Sequence, residues 1–111
     1  TEIAIATAEA FGATAEVTVK NIGVATMNAP EQTEFAADIA ESVSGHVDRA
    51  TPPIMAGEDF SFMLEERPGA YIFLGNGDTA PVHHPEYDFN DDAIPAGCSW
   101  FAELVEKRLP A

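Results

Sequence analysis

Apolar residues recur at helical spacing in four segments of the chain, and in one segment they alternate with polar residues. The helical spacing predicts helices over residues 2–11, 28–44, 58–66 and 91–109. The alternation places Ala15, Val17 and Val19 on one side, which predicts a half-buried strand. The short run over residues 70–74 (AYIFL) is rich in β-formers, so its length and composition predict a buried strand.

Two of the predicted helices carry end signals or a continuous apolar stripe. Asn28 is expected to cap the second helix with Glu31 in a capping box, and Gly45 suits the position just past its end. The last helix carries an apolar stripe that is expected to face the core: Ile94, Cys98, Phe101, Val105 and Leu109. At that position Cys98 is expected to be a small buried hydrophobe and not a nucleophile.

Helices that alternate with strands predict an α/β fold with a mostly parallel sheet. A further strand is possible after Pro52-Pro53, at Ile54. Two or three strands would make only a thin sheet. A sheet that is buried on both faces needs more strands than this chain supplies.

Charge is the most unusual feature of the composition, with 19 acidic and 5 basic residues and a formal net charge of −14. Nucleic acids and anionic membranes bind clusters of Lys and Arg, so neither is an expected partner. Solubility alone would also explain such a charge. No apolar run approaches the roughly 20 residues of a membrane helix. The single cysteine favours a reducing compartment, and a cytoplasmic location is expected.

Candidate chemistry is concentrated in the loop over residues 75–92, GNGDTAPVHHPEYDFNDD, where His83 and His84 are adjacent. Neutral imidazole is the commonest metal ligand in proteins. Two surface histidines are the alternative interpretation, and spacing alone does not choose between the two residues. The acidic residues that follow do not match a calcium loop, which requires a different spacing.

Adjacent carboxylates at Glu58 and Asp59 could bind a metal ion or shift each other's pKa. Acidic residues also stabilise the first turn of a helix, and the sequence by itself favours that simpler role.

Two segments together resemble a known family. MAGEDFSFMLEERPGAYIFLGNGD (Met55 to Asp78) and VHHPEYDFNDDAIPAG (Val82 to Gly97) are similar to metal-dependent amidohydrolases that cleave N-acyl amino acids. These are the hippurate hydrolase and indole-acetyl-amino-acid hydrolase branch of the aminoacylase/carboxypeptidase superfamily. The resemblance implies that residues 27–111 are the C-terminal part of a zinc-peptidase-like α/β catalytic domain. Residues 1–26 would then be the final helix and strand of a lid or dimerisation domain.

The resemblance also implies a site. The family binds two divalent ions, zinc or manganese, bridged by a water molecule that attacks the amide carbonyl. Its late histidine motif matches Val82-His83-His84-Pro85, which assigns a metal-ligand role to His83. The GEDF segment would line the substrate cleft without binding metal: Gly57, Glu58, Asp59 and Phe60. In the family the general base belongs to a Glu-Glu pair in an earlier motif, and that part of the polypeptide is expected to be absent from this chain.

The implied partners are an N-acyl amino acid, the rest of the catalytic domain and a second subunit in a homodimer. The opening residues have a mid-helix pattern, so the chain is expected to be cut from a longer one and to be inactive alone. One departure from the family is Val24-Ala25-Thr26, where Tyr-Pro-Pro is common. The alternative hypothesis is a non-catalytic acidic α/β interaction module.

Overall fold

The regular elements of the chain are helices, and the computed structural model describes residues 1–109. They are α1 (Glu2–Ala10), α2 (Pro30–Ser44), α3 (Phe60–Glu66) and α4 (Ile94–Arg108), with a single 3₁₀ turn, Asp91–Ala93, leading into α4. All four predicted helices are therefore present, and each end lies within three residues of the sequence prediction.

The predicted α/β fold is wrong, because residues 1–109 contain no β-strand and hence no sheet. Neither the strand of a lid-domain piece near Val17 nor the strand over residues 70–74 forms. A strand exists only when its backbone N–H and C=O groups pair with a neighbouring strand, so β-propensity creates a strand only in a suitable context. Within the described chain, these two segments find no such neighbour.

The contact between α2 and α4 forms the only helix–helix core of the described chain. Ala36 and Ile39 of α2 are 3% and 1% exposed. Trp100 of α4 donates its indole N–H to the carbonyl oxygen of Ala36 at 3.0 Å. The hydroxyl of Ser42 donates to the carboxylate of Glu103 at 2.8 Å. Small residues on α2 allow the large indole to approach the helix backbone, and this contact fixes the two helices together.

The two ends of α2 are formed differently from one another. Gly45 adopts a left-handed conformation (φ 73°) and donates to the carbonyl of Glu41, so the predicted end is confirmed. The predicted capping box is wrong, because the N-cap residue is Ala29 and no side chain caps the helix. The side chain of Asn28 instead binds the backbone of Tyr71, 43 residues further along.

The half-buried face of α4 is not the predicted stripe. Gly97, Trp100 and Leu104 are half-buried, whereas Phe101 is 65% and Val105 55% exposed. Cys98 is also exposed, which contradicts the expectation that it is buried. The apolar stripe of this helix is therefore left open to solvent.

A cluster of ion pairs joins the segment after α2 to that helix. The guanidinium of Arg49 lies 2.7, 2.7 and 2.9 Å from carboxylate oxygens of Glu34, Asp38 and Glu41. These hydrogen bonds raise the pKa of Arg49 above its ordinary value, the Asp38 bond contributing most. Because the three acids share one face of α2, one arginine can bind them all.

The molecule is extended for its length. Its radius of gyration is 20.2 Å, whereas a compact domain of this length has about 13 Å. Its accessible surface is 9266 Å², against about 5,900 Å² for a compact monomer of the same mass. No described helix is long and apolar enough to span a bilayer. A division between residues 1–26 and 27–111 stays a prediction, and the last two of these residues lie outside the described part.

Candidate functional site

The loop that carries the two histidines is closed at its base by one asparagine side chain. The Asn76 amide donates to the carbonyl of Asp88 at 2.8 Å and accepts from the N–H of Asn90 at 2.8 Å. The amide group thus pairs with the returning chain as a neighbouring backbone would. This pairing, which we call the loop clasp, brings the two ends of the segment over residues 76–90 together.

Weaker contacts support the loop clasp. The hydroxyl of Thr79 donates to the carbonyl of Asp88 at 3.3 Å and accepts from the N–H of Asp88 at 3.4 Å. Gly77 has φ 86°, a left-handed conformation that favours glycine. The turn that starts the loop therefore depends on a glycine next to the asparagine.

Backbone conformation and hydrogen bonding distinguish the two histidines. His83 has φ 71° and is the only described non-glycine residue with positive φ, a conformation that costs roughly 1–2 kcal/mol. The Nδ1 atom of His84 accepts a hydrogen bond from the N–H of Glu86 at 3.2 Å. The His83 imidazole is exposed and makes no hydrogen bond with any described residue. His84 is thus used within the loop, while His83 presents both ring nitrogens to its surroundings.

The described residues do not form a complete metal centre. Nowhere in residues 1–109 do three or more His, Cys, Asp or Glu side chains converge in a way that could hold an ion. A catalytic zinc site needs about three protein ligands. The described residues therefore do not complete a catalytic metal site by themselves, and the metal role of His83 stays a prediction.

The GEDF segment, residues 57–60, precedes α3 and is held by its own carboxylate. Oε1 of the half-buried Glu58 accepts a hydrogen bond from the N–H of Phe60 at 3.2 Å. This bond, followed by one with the Tyr71 hydroxyl, lowers the pKa of Glu58. Asp59 occupies the N-cap position of α3 but makes no side-chain capping bond. Glu58, and not Asp59, therefore binds a backbone N–H at the start of α3.

Tyr71 connects the GEDF segment to the rest of the chain. Its ring centroid lies 5.8 Å from that of Phe60 and 5.5 Å from that of Phe73. The carboxylate of Glu58 raises the pKa of the Tyr71 hydroxyl, because it accepts a hydrogen bond from the neutral phenol and repels a phenolate. No hydrogen bond, ion pair or aromatic contact among the described residues joins the GEDF segment to His83, and a shared site for the two stays a prediction.

Three residues that position these segments were not identified from the sequence: Asn28, Tyr71 and Asn76. For Asn76 a signal existed, since an asparagine between two glycines suits a tight turn. The pairing of Asn28 with Tyr71 had no local signal because the partner is distant in sequence.

Comparison with known proteins identifies the family. The sequence profile of "Peptidase family M20/M25/M40" matches residues 3–107. The chain therefore belongs to this peptidase family, and the resemblance found in the sequence is confirmed. No solved structure matches the chain significantly.

Three curated relatives illustrate the range of the family. The hippurate hydrolase of Campylobacter jejuni is 36% identical over 86 residues, which cover 76% of this chain and 22% of the relative. The N-acetyldiaminopimelate deacetylase of Pediococcus pentosaceus is 31% identical and covers 97% of this chain and 28% of the relative. Thermostable carboxypeptidase 1 of Saccharolobus solfataricus is 34% identical, with 87% and 26% covered. The chain thus spans about a quarter of the length of these relatives.

Proposed function

We propose that this chain is part of a larger metal-dependent hydrolase that cleaves the amide bond of N-acyl amino acids. Hippurate and N-acetyldiaminopimelate, which two of the relatives' names contain, are both N-acyl amino acids. Residues 1–26 would belong to a lid or dimerisation domain, and residues 27–111 to the metal-binding catalytic domain. The subunit would pair with a second copy in a homodimer.

The observation that carries the proposal is the state of His83. Its backbone is held in an unfavourable conformation and its imidazole is unpartnered within residues 1–109, whereas the neighbouring imidazole is engaged. Strained residues concentrate at functional sites, where the surrounding structure maintains them. His83 would donate one ligand, and further polypeptide would supply the others. A bound divalent ion activates water and polarises the carbonyl group.

The GEDF segment would contribute to the substrate cleft. The Glu58 carboxylate accepts a backbone N–H and has a lowered pKa, so at neutral pH it is an anion with acceptor positions only. The general base would belong to further polypeptide and not to these 111 residues. The 111-residue chain alone is therefore expected to hydrolyse nothing.

The test compares His83→Ala with His84→Ala in the full-length protein. His83→Ala should reduce the bound metal and lower hippurate turnover by at least about 100-fold, since ligand loss exceeds the 10–100-fold effects of groups that merely support ligands. His84→Ala should keep both, because its ring only bonds within the loop. Metal analysis and initial rates provide the readout. Full metal content and turnover in His83→Ala would contradict the proposal.

A further inference from the structure

Asn28 binds both backbone polar groups of a single distant residue. Its Nδ2 donates to the carbonyl of Tyr71 at 2.9 Å, and its Oδ1 accepts from the Tyr71 N–H at 2.8 Å. The N–H of Ala29 donates to the carbonyl of Gly69 at 2.9 Å, which extends the pairing by one bond. The segment before α2 is thereby fixed to the segment after α3.

Tyr71, which Asn28 holds in this way, contacts the GEDF segment at two residues. The Tyr71 ring packs against Phe60 at 5.8 Å between centroids. Its hydroxyl lies beside the carboxylate of Glu58, whose Oε1 also accepts the Phe60 N–H at 3.2 Å. A shift of the Tyr71 backbone would therefore move the Tyr71 side chain, which contacts both Glu58 and Phe60.

We propose that Asn28 is a positioning residue for the substrate cleft: it fixes Tyr71, and Tyr71 fixes the GEDF segment. The inference rests on the proposed function, in which Glu58 and Phe60 line that cleft. Asn28 lies two residues after the proposed domain division, so the link joins the connecting segment to the cleft.

The chemistry of the contact requires asparagine. A short amide carries a donor and an acceptor side by side, as a peptide group does. Aspartate would keep the acceptor for the Tyr71 N–H but would place a carboxylate oxygen against the Tyr71 carbonyl. Alanine would lose both bonds and leave two backbone groups unpaired.

The experiment uses the full-length protein with Asn28→Ala and Asn28→Asp. Asn21→Ala is the matched control, since that exposed amide only accepts a 3.4 Å bond from the nearby N–H of Gly23. For Asn28→Ala we expect the KM for hippurate to rise about tenfold with little change in kcat, because lost positioning weakens substrate binding. Bound metal should be unchanged. Amide hydrogen exchange should become faster in peptides that cover residues 57–62 and 69–74.

The exchange data distinguish this inference from the proposed function. If wild-type protein does not hydrolyse hippurate or any other N-acyl amino acid tried, the proposed function fails, and exchange at residues 57–62 still decides whether Asn28 orders the GEDF segment. If kinetics and exchange of Asn28→Ala equal those of the Asn21→Ala control, the inference is wrong. Tyr71→Phe, which keeps the ring on Phe60, should change exchange less than Asn28→Ala does. Should Asn28→Ala fail to fold, Asn28→Asp decides, and control-like exchange in that variant overturns the inference.

Discussion

Glu58 and Tyr71 shift each other's pKa in opposite directions. The pKa of Glu58 falls below its ordinary 4.5 because the Phe60 N–H and then the Tyr71 hydroxyl bind its anion. The pKa of Tyr71 rises above its ordinary 10.0 because the Glu58 carboxylate favours the neutral phenol. Asp59 also contributes to both shifts, but less than the Phe60 N–H does for Glu58 and less than the Glu58 carboxylate does for Tyr71. The interaction between the two side chains is most favourable while Glu58 is ionised and Tyr71 is neutral.

Glu58→Gln should therefore return the pKa of Tyr71 toward 10.0, since its main cause is removed. Asp59→Asn is the matched control and should lower it less, because that charge acts only through space. Titration of the tyrosine ring by NMR in the full-length protein measures both effects. An unchanged Tyr71 titration in Glu58→Gln would contradict the contact.

The sign of the linked stability follows from the same shifts. A lowered carboxyl pKa stabilises the fold above the ordinary value of 4.5, and this stability is lost as pH falls through the folded value. A raised phenol pKa stabilises the fold below 10.0, and this is lost as pH rises through the folded value. Urea unfolding of wild type and Glu58→Gln should thus differ most between these limits. If the two proteins differed in stability by the same amount in strong acid, this pH dependence would be contradicted.

At the scale of elements, the contact of α2 with α4 depends on one indole. Trp100→Phe should lower the free energy of unfolding by about 1 kcal/mol, since one hydrogen bond to the Ala36 carbonyl is lost. Trp100→Ala should cost more, up to about 3 kcal/mol, because buried ring surface is lost as well. Urea unfolding of the full-length protein measures both.

The control for this pair is Lys107→Ala on the same helix. Lys107 makes one ion pair with Glu103, at 3.6 Å and largely exposed, and such pairs contribute about 0–1 kcal/mol. If Trp100→Phe costs no more than Lys107→Ala, the indole bond does not hold the helices together.

The loop clasp is the second element whose strength can be measured. Asn76→Ala removes both 2.8 Å bonds that close the His83 loop. If His83 binds metal as proposed, zinc affinity should fall about 10-fold, the lower limit for groups that orient a ligand. Competition with a chelator measures this in the full-length protein.

Thr79→Val provides the comparison, because it removes only the longer 3.3 and 3.4 Å contacts. Its effect on zinc affinity should be smaller than that of Asn76→Ala. The reverse order would show that the asparagine does not control the loop.

At the scale of the whole molecule, the dominant feature is uncovered apolar surface. Large side chains are exposed on several elements, including Phe101 and Val105 of α4 and Phe73 and Leu74 after α3. A monomer rarely exposes contiguous apolar patches of more than a few hundred Å². We expect the isolated 111-residue chain to self-associate, despite the net charge of −14. Analytical ultracentrifugation measures this, and a single monomeric species at all concentrations would contradict it.

The family and the helices could be predicted from the sequence because their signals are local. Gly45 marked the end of α2, because a glycine readily takes the left-handed conformation found just past a helix. The GEDF segment and the His-His-Pro motif together indicated the peptidase family that the comparison confirmed. These features depend on neighbours within a few residues, which a linear pattern contains.

The rest was decided by contacts between distant parts of the chain. The α/β prediction failed because a strand requires a partner that residues 1–109 do not supply. The half-buried side of α4 is the one that carries Trp100, because that side meets α2. An apolar stripe in the sequence does not specify which neighbour will cover it. Asn28 had the sequence pattern of a helix cap and became the partner of Tyr71, since an amide binds whichever backbone the tertiary structure brings to it.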